Sequence, residues 1–140
     1  MAGLIIGLGA VSVIEVHGLL ARRSSYWTEA TIRTHKITKP LIWLGLGLAL
    51  VGGGLLFKGQ PLNGIPLYLI LDAGVMIVNG CFLSFVVSPG LLRQEAQGRA
   101  KDLLPRRLQQ KITLSFFVSI GGWWSGVAAI ALWLSQMIDK

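Results

Sequence analysis

The stretch His17-Gly-Leu-Leu-Ala-Arg-Arg-Ser-Ser-Tyr-Trp-Thr-Glu-Ala-Thr-Ile-Arg-Thr-His35-Lys-Ile-Thr-Lys-Pro40 joins the first two apolar runs of the chain. It holds both histidines and five of the thirteen lysines and arginines. The histidines lie symmetrically about Tyr26. If the flanking runs fold back as a helical hairpin, symmetric positions reach similar depth, and the two imidazoles are expected to face one another near a membrane surface. No other arrangement in the sequence suggests chemistry as directly.

Working outward, composition decides the class. Hydrophobic residues make up 53% of the 140 and charged residues only 14%, against about 25% charged in an average soluble domain. Mean hydropathy is +0.65. So few charges would not cover a soluble surface, whereas lipid requires none. The sequence is that of an integral membrane protein, and its length fits one domain, residues 1–140.

Four runs are long enough to span about 30 Å of hydrocarbon at 1.5 Å per helical residue: 4–21, 40–57, 65–87 and 112–138. The expected fold is all-α, an antiparallel bundle of four transmembrane helices. Residues just before Pro40 are compatible with helix as well, since proline is tolerated in membrane helices. Arg22, Arg23, Arg33, Lys36 and Lys39 fill the connection 22–39, and Arg93, Arg99, Lys101, Arg106, Arg107 and Lys111 fill the connection 88–111. The connector between runs two and three is short, with one lysine and the turn residues Gly59, Pro61, Asn63 and Gly64. By the positive-inside rule both basic connections are cytoplasmic and both termini lie outside. The net charge of +7 is thereby explained by topology and anionic lipid headgroups, not by nucleic acid. Cys81 is the single cysteine, which excludes an intrachain disulfide and a cysteine-built metal site. Met-Ala-Gly-Leu-Ile-Ile has no basic segment ahead of it, so a cleaved signal peptide is not expected.

In the third connection, Ser88-Pro89-Gly90 is expected to stop the third helix. Residues 91–97 form a short interfacial helix ended by Gly98, and Pro105 starts the turn into the last span. Small residues recur at packing spacing: Gly3 and Gly7; Gly45, Ala49 and Gly52; Ser115, Ser119, Gly122, Gly126 and Ala129. Such stripes let helix backbones approach closely in lipid. The last is a candidate for packing within the bundle or between copies. Tyr26, Trp27, Trp43 and Trp133 fall at expected interfaces. Trp123 and Trp124 are mid-span and need a packing partner, such as a cofactor or the glycines.

Three polar residues fall inside the apolar runs: Glu15, Asp72 and Asn79. An ionisable residue there costs about 2.5–3.5 kcal/mol on insertion scales, which makes it a functional candidate. Ser12, Glu15 and Arg22 share one helical face, whereas His17 lies about 200° round from Glu15 and does not pair with it. Asp72, Met76 and Asn79 share a face of the third run. Asp72 suits a cap at the outer end through Tyr68 or backbone groups, and Asn79 suits a hydrogen bond between helices.

The histidines suit a b-type haem, which needs neutral imidazoles on facing helices and basic residues near the surface for its propionates. His17 and His35 are the candidate iron ligands, Arg33 and Lys36 the propionate partners, and Asn79 the residue that orients an imidazole. The sequence also resembles the CopD-like and cytochrome-b-like small membrane proteins of bacteria. The resemblance lies in the helix-one histidine, in Arg33-Thr-His-Lys-Ile-Thr-Lys-Pro-Leu-Ile-Trp, in Leu50-Val-Gly-Gly-Gly-Leu-Leu and in Phe85-Val-Val-Ser-Pro-Gly-Leu-Leu-Arg. It implies a bacterial inner membrane and haem held by His17 and His35, or an association with copper handling. The leading expectation is therefore a haem b protein of electron transfer or redox catalysis. Ala10-Val-Ser-Val-Ile-Glu-Val is similar to the first helix of small multidrug transporters, which implies proton-coupled transport through Glu15. A third reading is a structural or assembly subunit of a larger membrane complex, or a homo-oligomer.

Overall fold

A computed structural model describes residues 2–138. Helix α1 (Ala2–Leu20) runs into a tight turn and returns as α2 (Ser25–Leu56). After a short connector come α3 (Gly64–Phe82), a π turn (Leu83–Val87) and α4 (Ser88–Ala96), which together form one long rod. Helix α5 (Arg106–Ile138) completes the bundle. Four units, Ala2–Leu20, Ser25–Leu56, Gly64–Ala96 and Arg106–Ile138, are long and apolar enough to cross a membrane. The chain is a multi-pass, all-α membrane protein.

The connection expected at 22–39 is helical from Ser25 onward. The hairpin turn is confined to residues 21–24, where the Thr28 hydroxyl donates to the Ala21 and Ser24 carbonyls, at 3.1 and 3.2 Å. The third connection departs from expectation. Pro89 does not stop the helix. Proline lacks an N–H, and its ring crowds the carbonyl four residues back, here that of Phe85. The chain widens by one residue just ahead of it, the Ser88 amide donating to the Leu83 carbonyl in an i→i−5 bond. The rod thus survives the proline and ends at Ala96, where Gly98 turns the chain with φ +71°.

Helix α1 is the centre of the bundle, packed along α2 on one side and α5 on the other, and α5 also packs on α3. Glycines make the α1–α2 seam. A Cβ added to Gly45 would lie 2.5 Å from the Gly7 amide nitrogen, and one added to Gly3 would lie 2.7 Å from the Gly45 carbonyl oxygen. Backbone contact at this distance compensates for the missing hydrophobic drive between helices in lipid. Gly52, expected on the same face, meets nothing within 4 Å. By the register of Gly3 with Gly45 and Ala49, it lies beyond the start of α1.

The α5 stripe is turned inward, and Ser115, Ser119, Gly122, Gly126 and Ala129 are all buried. Trp123 is buried over Gly7, whereas Trp124 is exposed on the lipid-facing side. Two apolar clusters result. One, at the basic end, gathers Ala21, Ile32, Val87, Leu91 and Leu104. The other crosses mid-bundle, with Val11, Leu46, Met76 and Trp123.

Candidate functional site

The buried face of α2 is polar. Thr28, Thr31, His35 and Thr38 recur at intervals of three and four residues, and all are buried. Threonine hydroxyls on a helix satisfy themselves on the preceding turn. Thr31 donates to the Trp27 carbonyl at 2.7 Å and Thr38 to that of Thr34 at 3.0 Å. His35 has no such local partner. It is 8% exposed, and its Nε2 is buried without a hydrogen bond among the described residues.

Glu15 comes to the same place from α1. It is 4% exposed, on the face that α1 turns toward α2 and α5. Glu15, His35, Thr31, Lys39 and Ser84 line one cavity of about 50 Å³, together with apolar residues including Ile14, Ile42 and Leu83. Trp43 borders it. This indole lies over Gly80 and donates from Nε1 to the Ser84 hydroxyl at 3.1 Å.

Behind Glu15 the polar system continues into α5. The Ser119 hydroxyl lies near the Glu15 carboxyl. Asn79 donates from Nδ2 to Ser119 Oγ at 2.8 Å and to the Ser115 carbonyl at 3.3 Å, and the Ser115 hydroxyl donates to Asn79 Oδ1 at 2.9 Å. Asn79 therefore ties α3 to α5, and its amide is engaged there rather than on an imidazole. The small residues of the α5 stripe thus serve twice, admitting α3 and α1 closely and supplying hydroxyls.

The remaining sequence candidates scatter. His17 stands on the other side of α1 from Glu15, its ring 5.1 Å from that of Trp27, and its Nδ1 is buried without a hydrogen bond. It is absent from the lining of the His35 cavity. Arg33 pairs with Glu29 along α2 at 2.6 Å, and Lys36 pairs with Glu95 of α4 at 2.8 Å. Arg22 is exposed in the hairpin turn and makes no ion pair with Glu15 among the described residues. Asp72 lies toward the terminal end of the bundle, where the Ser125 hydroxyl approaches its Oδ1 at 3.5 Å.

Haem between His17 and His35 does not fit this packing. The two imidazoles do not share a cavity, and about 50 Å³ beside His35 is far below the roughly 300–1,000 Å³ typical of cofactor and ligand sites. No group of three or more histidine, cysteine, aspartate or glutamate side chains able to hold a metal ion occurs among the described residues.

Sequence reasoning singled out Glu15 and His35 separately and missed that they share one cavity. It also missed Thr31 and Ser84 in its lining. The available signal was the Thr28, Thr31, His35, Thr38 periodicity, a polar stripe on a helix that otherwise reads as basic loop. Comparison with family models, curated proteins and solved structures returned no match for the chain, so function has to be argued from these side chains.

Proposed function

We propose that the chain is a proton-coupled transporter of small molecules, with Glu15 as the proton-carrying group. The observation that carries this reading is the meeting of Glu15 and His35, from two helices, on one small, largely apolar cavity of the bundle. Ionisable groups at such depth are expensive and mark proton relays and substrate pathways. Their surroundings suit a relay. By the register of Gly3 with Ala49 and Gly7 with Gly45, Glu15 of α1 lies close to the level of His35 on α2, and Lys39 lies one turn further from the basic end. A proton passed from the basic end through His35 to Glu15 neutralises the carboxylate. Its departure restores a buried charge, which favours a different packing around it.

The basic loops further support an orientation in a bacterial inner membrane with both termini outside. The Glu15–His35 cavity then faces the cytoplasmic half.

The test uses purified protein in proteoliposomes containing a pH-sensitive dye, under an imposed proton gradient. Quaternary ammonium compounds, amines, carboxylates and sugars are added in turn. At least one class is expected to speed collapse of the gradient relative to protein-free vesicles. Glu15→Gln should lose that effect by about tenfold or more, in line with removal of a proton-transfer group, while keeping native helix content by circular dichroism. No proton movement with any compound, or a Glu15→Gln variant as active as the parent, ends the reading.

Haem b ligation is the second reading. In its favour, His17 and His35 each keep a buried ring nitrogen free of protein partners, although the helices would have to part for a macrocycle to enter. Protein made with haem precursor supplied separates the two: a Soret band lost in His17→Ala supports haem, and a colourless protein removes it.

A further inference from the structure

A second cavity, larger than that beside Glu15, lies toward the opposite end. It measures about 290 Å³ and is lined by residues from all four membrane-crossing units, among them Leu50, Ile70, Met76 and Trp123. Asp72 is the one ionisable residue in that lining. The apolar layer of Leu46, Met76 and Trp123 forms the floor of this cleft, and Ile42 and Trp43, packed against the same layer, border the Glu15 cavity. One layer therefore divides the two spaces. Helices α2 and α3 scarcely touch, and the cleft opens between them.

Three features of the cleft define what it suits. Its volume is near the lower edge of small-molecule sites, and its walls are almost wholly apolar, as such sites usually are. Asp72 has only the long contact with Ser125, and no basic side chain lies within 4.0 Å of it among the described residues. A carboxylate at this depth without a counter-charge is costly, and a cation is what relieves it. Trp123 borders the wall with its ring packed over Gly7 and only 3% of its surface exposed. Its Nε1 is buried with no hydrogen bond. An anion would meet Asp72 in a low-dielectric space, where like charges repel strongly.

We infer that the cleft between α2 and α3 binds a small hydrophobic organic monocation, with Asp72 as its counter-ion and the apolar walls against its body. As the substrate site of a transporter, this rests on the function proposed above. As a binding site, it stands on the cleft alone. The cation enters sideways between α2 and α3 and is stopped by the Leu46, Met76 and Trp123 layer, beyond which lies the proton-carrying carboxyl.

The test compares phenyltrimethylammonium with tert-butylbenzene, its neutral counterpart of nearly the same shape. Binding to the full chain in mild detergent is measured by equilibrium dialysis. The ammonium compound is expected to bind about tenfold or more tightly than the hydrocarbon, a difference of at least roughly 1.4 kcal/mol. Asp72→Asn should abolish that preference and leave hydrocarbon binding intact, which shows that the cleft still forms. Asp72→Glu should retain the preference. Equal binding of the two compounds by the parent protein, or undiminished ammonium binding by Asp72→Asn, overturns the site. The two proposals fail separately. If the ammonium compound binds through Asp72 but moves no protons in vesicles, transport fails and the site stands. If it moves protons but binds Asp72→Asn as tightly as the parent, the site fails and transport stands.

Discussion

Helix α2 meets its two neighbours in opposite ways. Against α1 it is closed, backbone to backbone, because Gly3 and Gly7 on one helix oppose Gly45 and Ala49 on the other. Against the α3–α4 rod it is closed only at the basic end, where Trp43 bonds Ser84 across Gly80 and Lys36 pairs with Glu95. Toward the termini the same two helices part, and the cleft opens between them. In lipid, apolar surface alone does not pull helices together, so close packing follows small residues matched on both partners. Helix α2 offers Gly52, Gly53 and Gly54 at its far end, but a Cβ at any of them meets nothing within 4 Å. On α3 the facing wall carries the large Leu69 and Ile70, and its small residue, Ala73, has no close glycine partner on α2.

The sharpest way to break this contrast is to place bulk in the closed seam. Gly45→Val puts its side chain against the Gly7 backbone, which has no rotamer with which to yield. Overpacking costs about 1–3 kcal/mol in general, and the upper end is expected here. Gly52→Val, on the same helix and facing open space, should change stability by less than about 0.5 kcal/mol. Unfolding by SDS titration, followed by tryptophan fluorescence, measures both. Equal losses at the two positions would mean that α1 and α2 are not held by the glycine contact.

A smaller effect is expected in the open seam, and on binding rather than stability. Gly53 lines the cleft and has room beside it. Gly53→Leu fills part of that space and should weaken phenyltrimethylammonium binding about tenfold, close to 1.4 kcal/mol. The SDS midpoint should hardly move. Undiminished binding would put the cation somewhere other than between α2 and α3.

The same contrast explains what was legible in the sequence. Spans, the short turn at 59–64 and the glycine faces of α1 and α2 follow from composition and helical spacing, which act within one helix or between chain neighbours. The α5 stripe was visible as a stripe, but whether it faces inward depends on which helix lies beside it, and only the assembled bundle decides that. The π turn was hidden for a related reason. Ser88-Pro89-Gly90 reads as a stop, yet a membrane helix continues past proline when the turn before it widens. That Glu15 rather than His17 shares a cavity with His35 turns on rotation about the helix axis. Symmetry about Tyr26 constrains depth, and the glycine contacts that set rotation lie a dozen residues away, at Gly3, Gly7 and Gly45. The bond from Trp43 to Ser84 was not legible because the two residues are 41 apart in sequence.

The closed end of the α2–α3 seam has two fastenings of unequal strength, and the weaker sharpens the comparison most finely. The Lys36 and Glu95 side chains are 52% and 32% exposed. An ion pair so open to solvent gains little, because water and salt screen it and two long side chains must be held still. The indole of Trp43, by contrast, is partly buried and donates to a hydroxyl on the π turn. If the indole and the apolar cluster around Val87 and Leu91 close this end, Lys36→Ala should lower stability by no more than about 0.5 kcal/mol. It should leave ammonium binding at the far cleft unchanged. A loss well above that, fading as salt is raised, would show that the charged pair holds α2 to α4, and that the basic end is closed by electrostatics rather than by packing.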